Sequence, residues 1–175
     1  MSELRISADS GAITFGADNE ITLTHVADTG LALKHTATGD DKPVVLTLQT
    51  GETDIAADDV IGKIDFQAPD EGTGTDAILV AASIEAVSEG DFSSSSNATK
   101  LIFKTGASEA ATEKMSIASN GSTTITTADN TDTLTLISTD ADASSGPNLR
   151  FYRNSSSPAD NDVIVQVDFE GRNDN

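Results

Sequence analysis

Apolar and polar residues alternate with a period of two along much of this chain. Ile21, Leu23 and His25 alternate with Thr22 and Thr24, Leu31 and Leu33 with Ala32 and Lys34, and Leu46 and Leu48 with Thr47 and Gln49. Ile64 and Phe66 alternate with Lys63 and Asp65, and Leu101 and Phe103 with Ile102 and Lys104. Alternation of this kind, rich in Thr, Val and Ile, predicts half-buried strands. Turn signals separate the runs: Gly39-Asp-Asp, Gly72-Thr-Gly, Glu89-Gly-Asp, Asn120-Gly and Ser145-Gly-Pro. Asn120-Gly121 predicts a type I′ hairpin, because both residues tolerate positive φ. Ala77 to Val87 admits a helix, with Ile78, Ala82 and Ala86 at helical spacing. It also admits a strand with Ile78, Val80, Ala82, Ile84 and Ala86 on one face. The missing N-cap and helical polar face favour the strand. The four serines from Ser93 to Ser96 read as a solvated loop.

The runs belong to an internal repeat. Asp59-Val-Ile-Gly-Lys-Ile-Asp-Phe66 aligns with Asp162-Val-Ile-Val-Gln-Val-Asp-Phe169 at an offset of 103 positions. The same offset, without a gap, pairs Leu31 with Leu134, Leu33 with Leu136, Thr36 with Thr139, Leu46 with Leu149 and Leu48 with Phe151. A second match, Ile6-Ser-Ala-Asp with Ile117-Ala-Ser-Asn and Ala17-Asp-Asn with Ala128-Asp-Asn, has an offset of 111. The difference falls between Thr24 and Leu31, where the first copy carries an insertion. Repeats that cannot bury their apolar faces alone stack on neighbours. The organisation expected is an N-terminal strand or attachment region over 1–30, a first repeat module over 31–133, and the start of a second, truncated repeat over 134–175. Expected core positions are Leu31, Leu33, Leu46, Leu48, Ile61, Ile64 and Phe66, with Leu134, Leu136, Leu149, Phe151, Ile164, Val167 and Phe169 as counterparts.

Composition changes this picture in one respect. Of 175 residues 37% are hydrophobic, but only 4% are aromatic, with no Trp and one Tyr. Large side chains supply most buried apolar area, at about 25 cal/mol per Å². A monomer so poor in them struggles to offset about 1–2 kcal/mol of backbone entropy per ordered residue. The apolar faces are therefore expected to meet other subunits. A net charge of −19 repels nucleic acid and anionic membranes, and suits an exposed surface that resists unspecific association. The absence of cysteine excludes disulfides, thiolate metal sites and cysteine nucleophiles. No secretory signal is visible at the N-terminus, and the longest apolar run, Ala77 to Ala82, is too short to span a bilayer.

Candidate chemistry is sparse. His25 and His35 lie on different predicted strands, and neither has a neighbour at metal-ligand spacing; a solvent-facing or interface imidazole accounts for both. Acidic pairs recur, and Asp-rich turns can gather oxygen ligands for calcium. Asp58 and Asp59, with Asp162 at the equivalent place, are the calcium candidates, though none of the acidic loops has EF-hand spacing and solvated turns explain them equally. No other cofactor is expected. Paired carboxylates alone do not define a glycan hydrolase, which needs two acids at a set separation across a cleft. Nucleophile elbows and phosphate-binding loops are absent. Three Asn-x-Ser/Thr sequons, at Asn97, Asn120 and Asn154, are coincidental in a Ser/Thr-rich chain. No catalytic residue is assigned, and the chain is not expected to be an enzyme.

Leu101-Ile-Phe-Lys-Thr-Gly-Ala-Ser-Glu-Ala-Ala-Thr-Glu-Lys-Met-Ser-Ile-Ala-Ser-Asn-Gly121 resembles a segment of marine-phage tail-fibre and fibre-like proteins. In these a strand ending in Phe-x-Thr leads to Glu-x-Met-x-Ile and an Asn/Asp-Gly turn. Residues 59–69 and Leu149-Arg-Phe-Tyr-Arg-Asn154 resemble the preceding part of the same unit. The resemblance implies an all-β, repetitive fibre module of sandwich-like or prism-like units, intertwined in a homotrimer. It further implies a spacer or attachment role on the virion surface, contact with other virion proteins or a host glycan or receptor, and synthesis in the host cytoplasm. Many relatives end in a self-cleaving chaperone domain after Gly-Ile-Gly, which this sequence does not contain. The rivals are a capsid or head-decoration protein and a glycan-binding adhesin module; the latter would need aromatic platforms, and Tyr152 is the only tyrosine. Phe66→Asp is expected to destabilise the assembly by several kcal/mol, through an unpaired buried charge, as a fall in melting temperature.

Overall fold

Within each of two sheets every strand pairs with its neighbour in sequence, while a long irregular segment after His35 leads to the second sheet at Val60. The computed structural model describes residues 6–69, 74–141, 146–157, 159–163 and 165–171. It is all-β, with two antiparallel sheets and no α-helix among the described residues. The first sheet runs β1 (Ala12–Phe15), β2 (Ile21–Val26), β3 (Gly30–His35). The second runs β4 (Val60–Gln67), β5 (Val80–Ser88), β6 (Thr99–Thr105), β7 (Thr112–Ile117), β8 (Thr123–Ile125), with one 3-10 turn at Asp76–Ile78 before β5. Two compact units result, Met1–Thr124 and Ile125–Asn175. Both sheets lie in the first unit, apart from Ile125 at the end of β8.

The strand expectations hold at Ile21–Val26, Leu31–Leu33, Ile64–Phe66 and Leu101–Phe103, and Ala77–Val87 resolves into the 3-10 turn followed by β5. Ile78 therefore leaves the face shared by Ala82, Ile84 and Ala86. Leu46 and Leu48 lie in irregular chain, where a half-buried strand had been expected. The Asn120-Gly121 hairpin is also different in kind. The Gly121 amide donates to the Ala118 carbonyl at 2.8 Å and only Gly121 has positive φ, at 83°. That is a type I turn closed by a left-handed glycine, the usual three-residue loop, rather than type I′.

The β4–β5 pair begins at a turn over Ala56 to Asp59. Asp58 takes φ 69°, and the Asp59 carboxylate accepts the Ala56 amide at 2.6 Å. Ser88, fully buried at the far end of β5, locks this turn in place. Its hydroxyl accepts the Asp59 amide at 3.0 Å and donates to the Ala56 carbonyl. Backbone bonds from Asp58 to the Ser88 carbonyl, 3.0 Å, and from Ser88 to the Asp59 carbonyl, 2.9 Å, complete the latch.

Apolar burial is slight. Val87 and Ile102, at 5% and 4% exposure, are the buried hydrophobic residues, and neither was among the expected core positions. Leu31, Leu33, Leu46, Leu48, Ile64 and Phe66 are all exposed, and Ile61 is half-buried. In the second copy Leu134, Leu136, Leu149, Phe151, Val167 and Phe169 are exposed as well, and Ile164 lies outside the described residues. Within one chain these positions are not a core. The reason is that each sheet is a single layer. The chain exposes 14538 Å², whereas a folded monomer of its mass exposes roughly 8,100 Å².

Ser88→Ala removes both side-chain bonds of the latch and leaves the Asp59 amide and the Ala56 carbonyl with only the long 3.4 Å bond between them. It is expected to cost about 1–3 kcal/mol in denaturant unfolding, and Ser88→Thr, which keeps a hydroxyl, to cost less.

Candidate assembly face

The register of the five-stranded sheet sorts its residues into two unlike faces. Ile64 on β4 sits opposite Ile84 on β5, which faces Phe103 on β6, which faces Met115 on β7. A parallel row runs Gly62, Ala86, Leu101, Ile117. A third runs Phe66, Ala82, Thr105, Thr112. No residue in these three rows carries a charge. Side chains opposite one another across strands interact directly, so the rows form a continuous apolar surface. Ile64, Phe66 and Leu101 remain 44%, 54% and 39% exposed on it.

Only a short stretch of chain lies over this surface. Leu46 and Leu48 border a shallow groove with Ile61, Ile84 and Ala86. Gly62 permits their approach, since a Cβ there would stand 3.1 Å from the Leu48 Cβ. Leu46 and Leu48 are themselves 67% and 45% exposed, so the covering layer is incomplete.

The opposite face carries the charge. Lys63, Glu85, Ile102 and Ser116 form one row there, and Asp65, Ser83, Lys104 and Glu113 the next. Lys104 pairs with Glu85 at 2.6 Å, and the Ser83 hydroxyl donates to the same carboxylate at 3.0 Å. Lys63 pairs with Asp65 at 2.7 Å, and the Asp65 carboxylate holds the Lys63 ammonium above its ordinary pKa. Ser83, Glu85, Val87 and Ile102 are buried on this face, where Ser83 lies opposite Lys104, Val87 opposite Lys100 and Glu85 opposite Ile102. This face meets its own polar needs; the apolar face does not.

The three-stranded sheet repeats the pattern. Ile13, Leu23 and Leu33 form one cross-strand row, and Phe15, Ile21 and His35 another, with Thr14, Thr22 and Lys34 on the other side. Phe15 and Leu31 are 55% and 74% exposed on the apolar side.

The residues singled out in the sequence occupy structural positions. His25 and His35 fall at opposite ends of the β2–β3 pair, opposite Leu31 and Ile21, and are not brought together. The His35 Nδ1 accepts the Ala37 amide at 3.2 Å. Asp58 extends to an ion pair with Lys100 at 3.3 Å. The Asp59 carboxylate caps its own turn. The Asp162 carboxylate accepts the Ala159 amide at 3.0 Å and pairs with Arg153 at 3.0 Å. Asp58 and Asp59 share one turn, and Asp162 holds the same place in the second copy. Among the described residues no group of three or more His, Asp or Glu could hold a metal ion, and no helix is long and apolar enough to cross a membrane. Cross-strand register, which sets the rows, was the signal that sequence reasoning lacked.

Comparison with known proteins adds no further constraint: no family model and no curated protein matches the chain.

Lys104→Met leaves the buried Glu85 carboxylate without its cation, and is expected to cost about 3 kcal/mol in thermal or denaturant unfolding. Lys104→Met combined with Glu85→Leu is expected to recover most of that loss, because the uncompensated charge goes with it.

Proposed function

We propose that the chain is a non-catalytic structural module of a phage particle, a tail-fibre-like spacer and attachment element that works as a homotrimer on the particle surface. The observation that carries the reading is the incompletely covered apolar face. Over the row of Ile64, Ile84, Phe103 and Met115, the described residues supply only the incomplete cover of Leu46 and Leu48. Three copies give each apolar face a partner and leave the Lys63–Asp65 and Lys104–Glu85 face toward water.

Two further features favour a fibre module over a decoration or binding domain. The segment that resembles phage fibre proteins, Leu101 to Gly121, folds as β6, β7 and the turn that follows, so the likeness covers a structural unit. The repeat supplies a second apolar set, which suits an array of like units better than a single cap.

Light scattering on the purified chain is expected to give a mass near three times 18.1 kDa, with a β-rich far-ultraviolet spectrum. A β-rich monomer that melts cooperatively would reject the trimer and favour a decoration domain.

A further inference from the structure

The structure reproduces the sequence repeat at atomic detail in one place. Asn161 takes φ 66°, matching φ 69° at Asp58, 103 positions earlier. The Asp162 carboxylate accepts the Ala159 amide at 3.0 Å, as that of Asp59 accepts the Ala56 amide at 2.6 Å. The Asp162 amide returns to the Ala159 carbonyl at 3.3 Å, as that of Asp59 returns to the Ala56 carbonyl at 3.4 Å. The turn that launches β4 is thus built twice. After the first, residues 60–67 pair with β5. After the second, residues 163 and 165–170 carry no strand pairing, and Val163, Val165, Val167 and Phe169 are 67%, 42%, 57% and 96% exposed.

We propose that residues 159–169 are an exchangeable second β4, and that their partner is β5, Val80–Ser88, of another copy of this chain. The inference rests on the self-assembly reading above and names one contact within it. Three observations fix the partner's chemistry. The turn at 159–162 matches one that is closed by a serine hydroxyl at the end of an antiparallel strand, and Ser88 is that serine. The apolar positions transpose without a shift, setting Val167 opposite Ile84, Val165 opposite Ala86 and Phe169 opposite Ala82. Exchange of one β4 for another conserves the ladder bonds, which is why swapping of like elements is a low-cost route to association. What changes is Gly62 to Val165 and Ile64 to Val167 on the apolar face, and Lys63 to Gln166 on the charged face. Copies joined in this way are linked through the repeat itself.

The absence of cysteine makes the contact directly readable, since every disulfide reports an engineered pair. Two single-cysteine variants, Val167→Cys and a size-tagged Ile84→Cys, are mixed, unfolded, refolded together and oxidised. Directly opposed strand residues have the Cα separation a disulfide requires. The expected product is a mixed disulfide at several times the yield from Val167→Cys with Ser83→Cys, in which the second thiol points to the other face. Val165→Cys with Ala86→Cys repeats the test one row away, should Ile84→Cys disturb the sheet by circular dichroism. Oligomers that form without either cross-link would overturn the strand exchange and leave the assembly reading standing. A monomer by light scattering would overturn both.

Discussion

A β-sheet with one apolar face needs a second layer, and this chain builds single layers. The cross-strand row from Ile64 through Ile84 and Phe103 to Met115 is the constraint from which the rest follows. Such a row in water loses the hydrophobic contribution that ordinarily offsets chain entropy. Two buried apolar side chains, Val87 and Ile102, are no substitute for a core. The module is held locally by its hairpins and the Ser88 latch rather than by an apolar core.

The charge distribution is arranged around the same constraint. A net charge of −19 opposes association in general, yet the three apolar rows contain no charged side chain. Like-charge repulsion is therefore weakest at these rows, which favours one mode of contact over many in any association. On the opposite side, Lys104 reaches Glu85 and Lys63 reaches Asp65 within the sheet, so that face meets its polar demands without a partner. A single-layer sheet with one self-sufficient side and one unsatisfied side suits a subunit of a larger assembly.

The repeat ties this local design to extension. A turn built the same way at Ala56–Asp59 and Ala159–Asp162 is evidence that the two copies share geometry as well as letters. Only the first copy has its partner strand in place. The contrast separates what a strand carries in its own sequence from what its neighbour supplies. Asp162, Asn161 and Ala159 close the turn through bonds within four residues. The ladder beyond it needs a second backbone.

The sequence by itself determined the all-β class, the alternation along β2, β3, β4 and β6, and the repeat, because each rests on residues near one another or on direct comparison of letters. It also pointed to the need for partners, since too few large side chains were present to close a core. Tertiary structure decided what depends on register and exposure. Leu46 and Leu48 alternate like a strand, yet they lie as irregular chain over Gly62, where the missing Cβ gives them room. Val87 and Ile102 are the buried apolar side chains among the described residues and they lie on the charged face, which no alternation pattern encodes. Asn120 and Gly121 permit two kinds of turn, and the strands they join selected the one with a single left-handed residue. Ile64 and Phe66 share a sheet face as their alternation implies, but burial belongs to layers, and each sheet here is a single one.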